Sequence, residues 1–395
     1  SQAEGITTSS HRPIAPVITA THKRMRYFSL KALLFAALSL GFSLSGFAEN
    51  AYWAEFGNQP VYVQQNNGRT KQTLKFVDFK DGMLVAEMTI DGNVAEMSLP
   101  VSESMVKKLS FDVNEMQKAN KLIRDGNDAG AIKVLRPVVY PLVKFSQVPE
   151  LFSQLHSPIR ALIGSLISAG ELSEADDLLS RIPLNKVSIK YSQLAIQLMH
   201  AYFAEENFDA AARIARELPK SGDYTSNISQ VVSAADALRG AGEYEAVIPL
   251  YREIEGSVPE EVRKNVRMWL AYSLVLANRV DEASPMIDSM AEPDAKDRLF
   301  SLYKLLQGSR EHRNKNYDAA LDVLTRGFVR AQTSYVWVPE MLFLIGDCYA
   351  RAEDPTAARN VWSEITVLYP ESPWSKRAAE SLSKLPKPKP TPTAN

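Results

Sequence analysis

His156, His200 and His312 are the side chains beyond residue 48 best suited to proton transfer or metal ligation near neutral pH. None has a second His or a Cys three or four residues away, so no helical face offers a pair of zinc ligands. Nucleophilic chemistry fares no better. There is no Gly-x-Ser-x-Gly elbow and no Gly-rich phosphate loop, and the lone cysteine, Cys348, reads as a small apolar residue of a helix. A single cysteine also excludes an intramolecular disulfide and a Cys-cluster metal site. Carboxylates crowd "EADD" (174–177) and "EYE" (243–245), but on amphipathic helices such runs are solvated faces. The pattern points away from an enzyme, and no metal or cofactor is implied.

Composition sets the class. Of 395 residues, 45% are hydrophobic and 23% charged, which suits a globular chain with a large buried surface. A net charge of −1 gives no nucleic-acid footprint. "HKRMRYFSLKALLFAALSLGFSLSGFAEN" has a basic start, an apolar run from Ala32 to Leu44 and small residues at Gly46 and Ala48. That is the layout of a secretory signal peptide over 25–48, with 1–24 an upstream extension and Met25 a fitting start. The apolar run falls short of the ~20 residues of a spanning helix. Retention of 32–47 as an inner-membrane anchor is the alternative, and only then is the membrane a partner. Cleavage after Ala48 leaves 40 basic and 45 acidic side chains, net −5, and the expectation is an exported, periplasmic protein.

Residues 49–111 have strand texture. "PVYVQQ" (60–65), "TLKFVDF" (73–79), "MLVAEMTI" (83–90) and "NVAEMSL" (93–99) read as a four-stranded antiparallel meander. Asp81-Gly82 and Asp91-Gly92 supply its tight turns. The unit resembles the small SH3-like or Sm-like barrels placed before other modules in bacterial envelope proteins. So small a sheet is expected to dock on the helices behind it.

The remainder repeats. Ala131, Ala175, Ala211, Val247, Ala283, Ala320 and Ala358 occupy one position of a recurring turn motif, at spacings of 44, 36, 36, 36, 37 and 38 residues. One helix pair per period in the thirties marks a helical solenoid. In the last copy Leu342, Ile345, Gly346, Tyr349, Ala358, Trp362 and Pro370 fall on the signature positions of the tetratricopeptide repeat, which this chain resembles over about 270 residues. Small residues at Gly346 and Ala358 let two helices approach, and large ones fill the space around them. The expected architecture is therefore mainly α: about seven helix pairs and a capping helix over 112–385, behind a small antiparallel β module. "KPKPTPTAN" (387–395) belongs to a Pro-rich extended tail, set at 386–395.

The family resemblance implies a concave groove lined by the first helix of each pair. Its recognition position falls on Gly164, His200, Asp236, Tyr272, Ser309 and Asp347, with Arg160, Arg239, His312, Arg313, Phe343 and Arg351 one turn away. His200, Asp236 and Tyr272, each 36 residues apart, are expected to form an exposed ladder for a peptide or protein partner. "LYPESPWSKRAAESL" resembles the terminal repeats of periplasmic envelope proteins, including outer-membrane assembly lipoproteins and coordinators of envelope constriction, although no lipid-bearing Cys is present. The implied function is a protein-binding scaffold of the bacterial cell envelope. Its rivals are a glycan- or peptidoglycan-binding protein and an enzyme built on the β module.

Overall fold

The computed structural model describes residues 50–68 and 70–386. The signal segment, the upstream extension and the Pro-rich tail beyond Pro386 lie outside them. Residues 50–58 belong to a first unit, in which Trp53–Gly57 forms a short π-helical turn. Everything from Gln59 onward belongs to a second.

That second unit opens with a sheet of five strands, not four. Strands β1 (Val61–Asn66), β2 (Lys71–Lys80), β3 (Met83–Ile90) and β4 (Asn93–Pro100) form the expected meander. A one-turn helix, α1 (Glu103–Val106), then leads into β5 (Leu109–Ser110), which pairs with β1. The order is β4-β3-β2-β1-β5. A two-residue strand carries no alternation, so the sequence could not announce it. Both hairpin turns hold two consecutive left-handed residues, Asp81 and Gly82, then Asp91 and Gly92, as a type I′ turn requires. Val61, Val63, Leu74, Phe76, Leu84 and Ala86 make the buried face. Phe76 meets Phe145 and Phe152 edge-on at 5.9 and 6.2 Å, so packing runs across the expected boundary between Phe111 and Asp112.

Seven helix pairs follow. Their first and second helices are α2 (Asn114–Arg124) with α3 (Asp128–Val139), α4 (Ser153–Ser168) with α5 (Leu172–Ser180), and α6 (Ile189–Ala204) with α7 (Phe208–Glu217). Next come α8 (Asn227–Ala241) with α9 (Tyr244–Glu255), α10 (Glu260–Leu276) with α11 (Val280–Ser289), and α12 (Arg298–Arg313) with α13 (Tyr317–Phe328). The last pair is α14 (Val338–Arg351) with α15 (Pro355–Leu368), capped by α16 (Pro373–Lys384). The long first spacing is taken up by a 3-10 segment at Tyr140–Phe145, buried under the sheet.

All seven marker residues, from Ala131 to Ala358, are completely buried on the second helix of their pair. A stricter period lies in the backbone. The residue five before each marker is left-handed: Gly126, Gly170, Glu206, Gly242, Asn278, Lys315 and Glu353, with φ from 57° to 88°. Each N–H returns to a carbonyl three residues back, and the next residue's N–H to one five back, as in Gly170 to Ile167 and Glu171 to Leu166. This is a Schellman closure. The following residue, such as Asn127, Asn207 or Asp354, is already the N-cap of the second helix and accepts a side-chain bond from it. Two consecutive residues thus end one helix and start the next.

Close approach within a pair depends on glycine at Gly346, as expected, and at the equivalent Gly308 of the sixth pair. A Cβ on Gly346 would lie 2.6 Å from Cδ1 of Trp362, and one on Gly308 would lie 2.6 Å from Cδ2 of Leu324. Trp362 and Leu324 both stand four residues after their marker alanines. One expectation fails: Glu174 is not a solvated carboxylate. It is buried between the first two pairs, where Arg136 grips it through Nε at 3.0 Å and Nη2 at 2.7 Å, and Tyr140 donates at 2.8 Å. Local periodicity cannot register an ion pair that forms only between pairs.

The left-handed joint gives a paired test. At Gly170 a Cβ has open space around it, so Gly170→Ala carries backbone strain alone. It is expected to destabilise by about 1 kcal/mol. Glu206→Gly relieves the same strain at an equivalent joint and should stabilise the chain or leave it unchanged. Urea unfolding of both variants checks the sign; two destabilised variants would refute the equivalence.

Candidate functional site

The groove residues divide into an open and a closed group. His200 on α6 and Asp236 on α8 are exposed, and Gly164 and Arg160 on α4 are half-buried. Tyr272 on α10 is completely buried, and so is Ser309 on α12 apart from a trace. The ladder therefore breaks after Asp236, and the expectation of an exposed Tyr272 is wrong. Arg239 is corrected too: it is 5% exposed.

The reason is superhelical curvature. Arg239 of the fourth pair reaches Glu340 in the first turn of α14, 101 residues downstream, with Nη1 2.5 Å from Oε1. Its guanidinium lies 3.5 Å above the Trp269 ring. Trp269 meets Tyr272 edge-on at 5.5 Å and Trp337 at 6.2 Å, and Trp337 donates to Ser301 Oγ at 3.0 Å. Further along, a Cβ on Gly242 would lie 2.6 Å from Nη2 of Arg377 on α16, which also stacks on Trp374. From Arg239 near the end of α8 onward, pairs five to seven and the cap thus close on their own inner side chains. Burial disfavours the Arg239 charge, but Glu340 overrides it and holds the guanidinium pKa above its ordinary value. Burial, reinforced by the Glu340 charge, pushes the Tyr272 phenol well up. Arg239 Nε, Tyr272 Oη and Glu340 Oε2 are buried without a hydrogen-bond partner.

Three of the remaining candidates do converge. His312 on α12 donates from Nε2 to Asp347 Oδ2 on α14 at 2.6 Å. Arg351 Nε stands 3.5 Å from the same oxygen. The Tyr317 ring is edge-on to His312 at 5.4 Å. Burial would raise the Asp347 carboxyl, but His312 and then Arg351 bring it below the usual range. Arg313 points elsewhere, donating to the Leu276 carbonyl at 2.9 Å. Phe343 is half-buried against Trp362 and Trp374, a packing residue of the last pair.

A His–Asp pair orients an imidazole, yet catalysis needs a partner to activate. Cys348 adjoins Asp347 in sequence, but it is buried, and desolvation pushes its thiol up to about 12. At neutral pH it is not a nucleophile. Among the described residues no group of three His, Cys, Asp or Glu side chains is placed to hold a metal ion. Trp269, Trp337, Trp362 and Trp374 are all buried, so they offer no stacking platform for a sugar.

The sequence missed one polar centre. His156 is buried on α4; Nε2–H donates to the Val148 carbonyl and Nδ1 accepts from the Tyr191 hydroxyl, both at 2.8 Å. Beside it Glu150 takes Arg160 Nη1 at 2.7 Å and Lys190 Nζ at 2.9 Å. Only the apolar positions flanking His156, such as Leu155 and Ile159, hinted at its burial.

No family model and no curated protein matches this chain. Solved structures do. A tetratricopeptide repeat protein from Parabacteroides merdae ATCC 43184 is 11% identical, with a TM-score of 0.38 over 68% of this chain and 96% of its own. A chain of the APC/C hetero-tetramer Cut9–Hcn1 is 12% identical, with a TM-score of 0.36 over 71% of this chain and 55% of its own. The TPR domain of P58(IPK) is 14% identical, with a TM-score of 0.21 over 68% and 86%. The chain is thus similar to tetratricopeptide repeat proteins.

Two measurements probe this interior. Tyr272→Phe removes a hydroxyl without a partner and should cost less than about 1 kcal/mol, whereas Glu340→Ala strands the buried Arg239 charge and should cost about 3–5 kcal/mol. Equal melting of Glu340→Ala and the parent would place that pair in solvent. His156 has its pKa lowered by burial, so the unfolded chain binds the extra proton first. Stability should be flat above about pH 6.5 and fall as pH drops below it. His156→Gln should flatten the slope of unfolding free energy between about pH 6.5 and 5; an unchanged slope would assign it to another group.

Proposed function

We propose that this protein is an exported interaction scaffold of the bacterial cell envelope, binding a segment of a partner protein along the first helices of pairs two to four. The observation that carries this reading is the split of the groove: Arg160, Gly164, His200 and Asp236 remain accessible, whereas Tyr272 and Ser309 are filled in. Mixed cationic, imidazole and carboxylate groups along successive helices suit an extended polar peptide. The tetratricopeptide repeat likeness accords with a role in binding proteins. The signal-like segment 25–48 supports export, with retention of 32–47 as the alternative.

A photoreactive p-benzoylphenylalanine in place of His200 tests the face directly. It should capture an envelope protein that the same group in place of exposed Asp209, on α7, does not. Asp236→Asn keeps an acceptor for the Tyr251 hydroxyl, 2.8 Å away, while removing the charge. It should lower the captured yield at least about threefold. Equal capture from both positions would overturn the assignment of this face. N-terminal sequencing of the envelope-associated protein should begin at Glu49; a chain retaining 32–47 would replace export by anchoring.

A further inference from the structure

The sheet has two very different edges. On one side β5 is two residues long, its Leu109 is buried, and Phe111 just beyond it is tied by its N–H to Gln154 of α4 at 3.2 Å. On the other side β4 runs for eight residues, and among the described residues it pairs only with β3. Its register with β3 is unbroken from Ile90↔Asn93 to Met83↔Pro100. Proteins usually blunt such an edge with lysine, an internal proline or a bulge. None is present here: "NVAEMSLP" has one charge, Glu96, and its proline is the last residue. All eight residues except Met97 and Leu99 are exposed, and Val94 is 67% exposed. Met97 and Leu99 lie opposite the fully buried Ala86 and Leu84, so the apolar core reaches the open edge half covered.

Charge selects the occupant. Across the outer face Lys75 pairs with Glu87, 2.9 Å apart, and Glu87 with Glu96. Glu96 therefore sits beside a carboxylate that already has its cation, and among the described residues it has no ion pair of its own. An antiparallel second copy must match residues of the same face, setting Glu96 against Glu96, Val94 or Ser98. None of these is a cation. A strand carrying Lys or Arg opposite Glu96 completes the row, and like charges placed directly opposite would be repelled.

We propose that the β4 edge is a docking site for an extended segment of a partner protein. The segment adds as an antiparallel sixth strand. It lays apolar side chains over Ala95, Met97 and Leu99 on the inner face and sets a basic residue against Glu96 on the outer face. Main-chain hydrogen bonds from β4 supply the general affinity, and the Glu96 contact selects the sequence. Beside it, Tyr62, Lys71, Lys75, Glu87, Thr89 and Val94 line a depression of about 570 Å3 on the outer face, and its two lysines leave Glu96 as the carboxylate for a basic side chain of the added strand. This site is independent of the helical face proposed above, and either can fail without the other.

The probe is a blocked heptapeptide, Val-Thr-Val-Lys-Val-Thr-Val, with its valines on one face and lysine at the centre of the other. It is titrated by fluorescence anisotropy into the full chain and into its Glu96→Lys variant. Binding should protect backbone amides of 94–99 from hydrogen exchange. Glu96→Lys should weaken the lysine peptide at least about tenfold and make the glutamate-centred analogue the tighter ligand. Glu96 is exposed, so the variant should melt like the parent. A peptide methylated on alternate amides should fail to bind, because it cannot pair. Absence of binding, protection confined to the helices, or indifference to Glu96→Lys would overturn the proposal. So would a concentration-dependent doubling of mass that Glu96→Lys abolishes, which would identify a second copy as the occupant.

Discussion

The architecture rests on a two-residue joint. In each of seven pairs a single left-handed residue closes the first helix, and its neighbour caps the second. With no loop to absorb variation, the angle between the two helices is fixed by backbone geometry, and side chains then adapt to it. A glycine meets a tryptophan in one copy and a leucine in another at equivalent places. Three joints use glycine and one uses asparagine, which tolerate the conformation; Glu206, Lys315 and Glu353 adopt it against their preference. Such local strain is bearable in an array whose stability is a sum over units and their interfaces.

Repetition of a fixed joint also generates curvature, and curvature explains why equivalent positions have different fates. His200, Asp236 and Tyr272 share one place on three successive first helices, yet only the third is completely buried, close to where chain returns from the seventh pair to meet Arg239. The Arg239–Glu340 pair sits at that meeting. A buried ion pair adds little net stability over a well-packed apolar contact, but it penalises any arrangement that separates it. Its place between helices 101 residues apart suits a contact that fixes how far the superhelix winds before closing.

The sequence made the period, the helix pairs, the close glycine contacts and the hairpin turns legible, because each is written within about forty residues. Markers such as Ala211 and Ala283 could be aligned by eye and are buried without exception. The fifth strand was hidden because two residues carry no pattern. Glu174 and Arg239 looked solvated because their partners, Arg136 and Glu340, come from other pairs. His312, Asp347 and Arg351 were each singled out, but that they converge could be read only from the superhelix. Local chemistry was visible; the long-range curvature deciding which face stays open was not.

Closure of the later pairs has a consequence for binding. A solenoid that fills its own groove loses the extended concave surface on which such arrays commonly rely. On the proposed reading, recognition moves to what remains open, and in this chain that lies toward the N-terminal side: the first helices of pairs two to four, and the sheet before them. The two surfaces differ in kind. The helical face offers separate polar side chains at a fixed pitch, whereas the edge of β4 offers a continuous row of backbone donors and acceptors. A partner read by the first is selected by its side chains. One added to the second is held chiefly by its main chain and tuned by Glu96. Rigid packing through Phe76, Phe145 and Phe152 ties the sheet to the helices, so on the proposed reading both surfaces belong to one body and can engage a single partner without the entropic cost of a flexible linker.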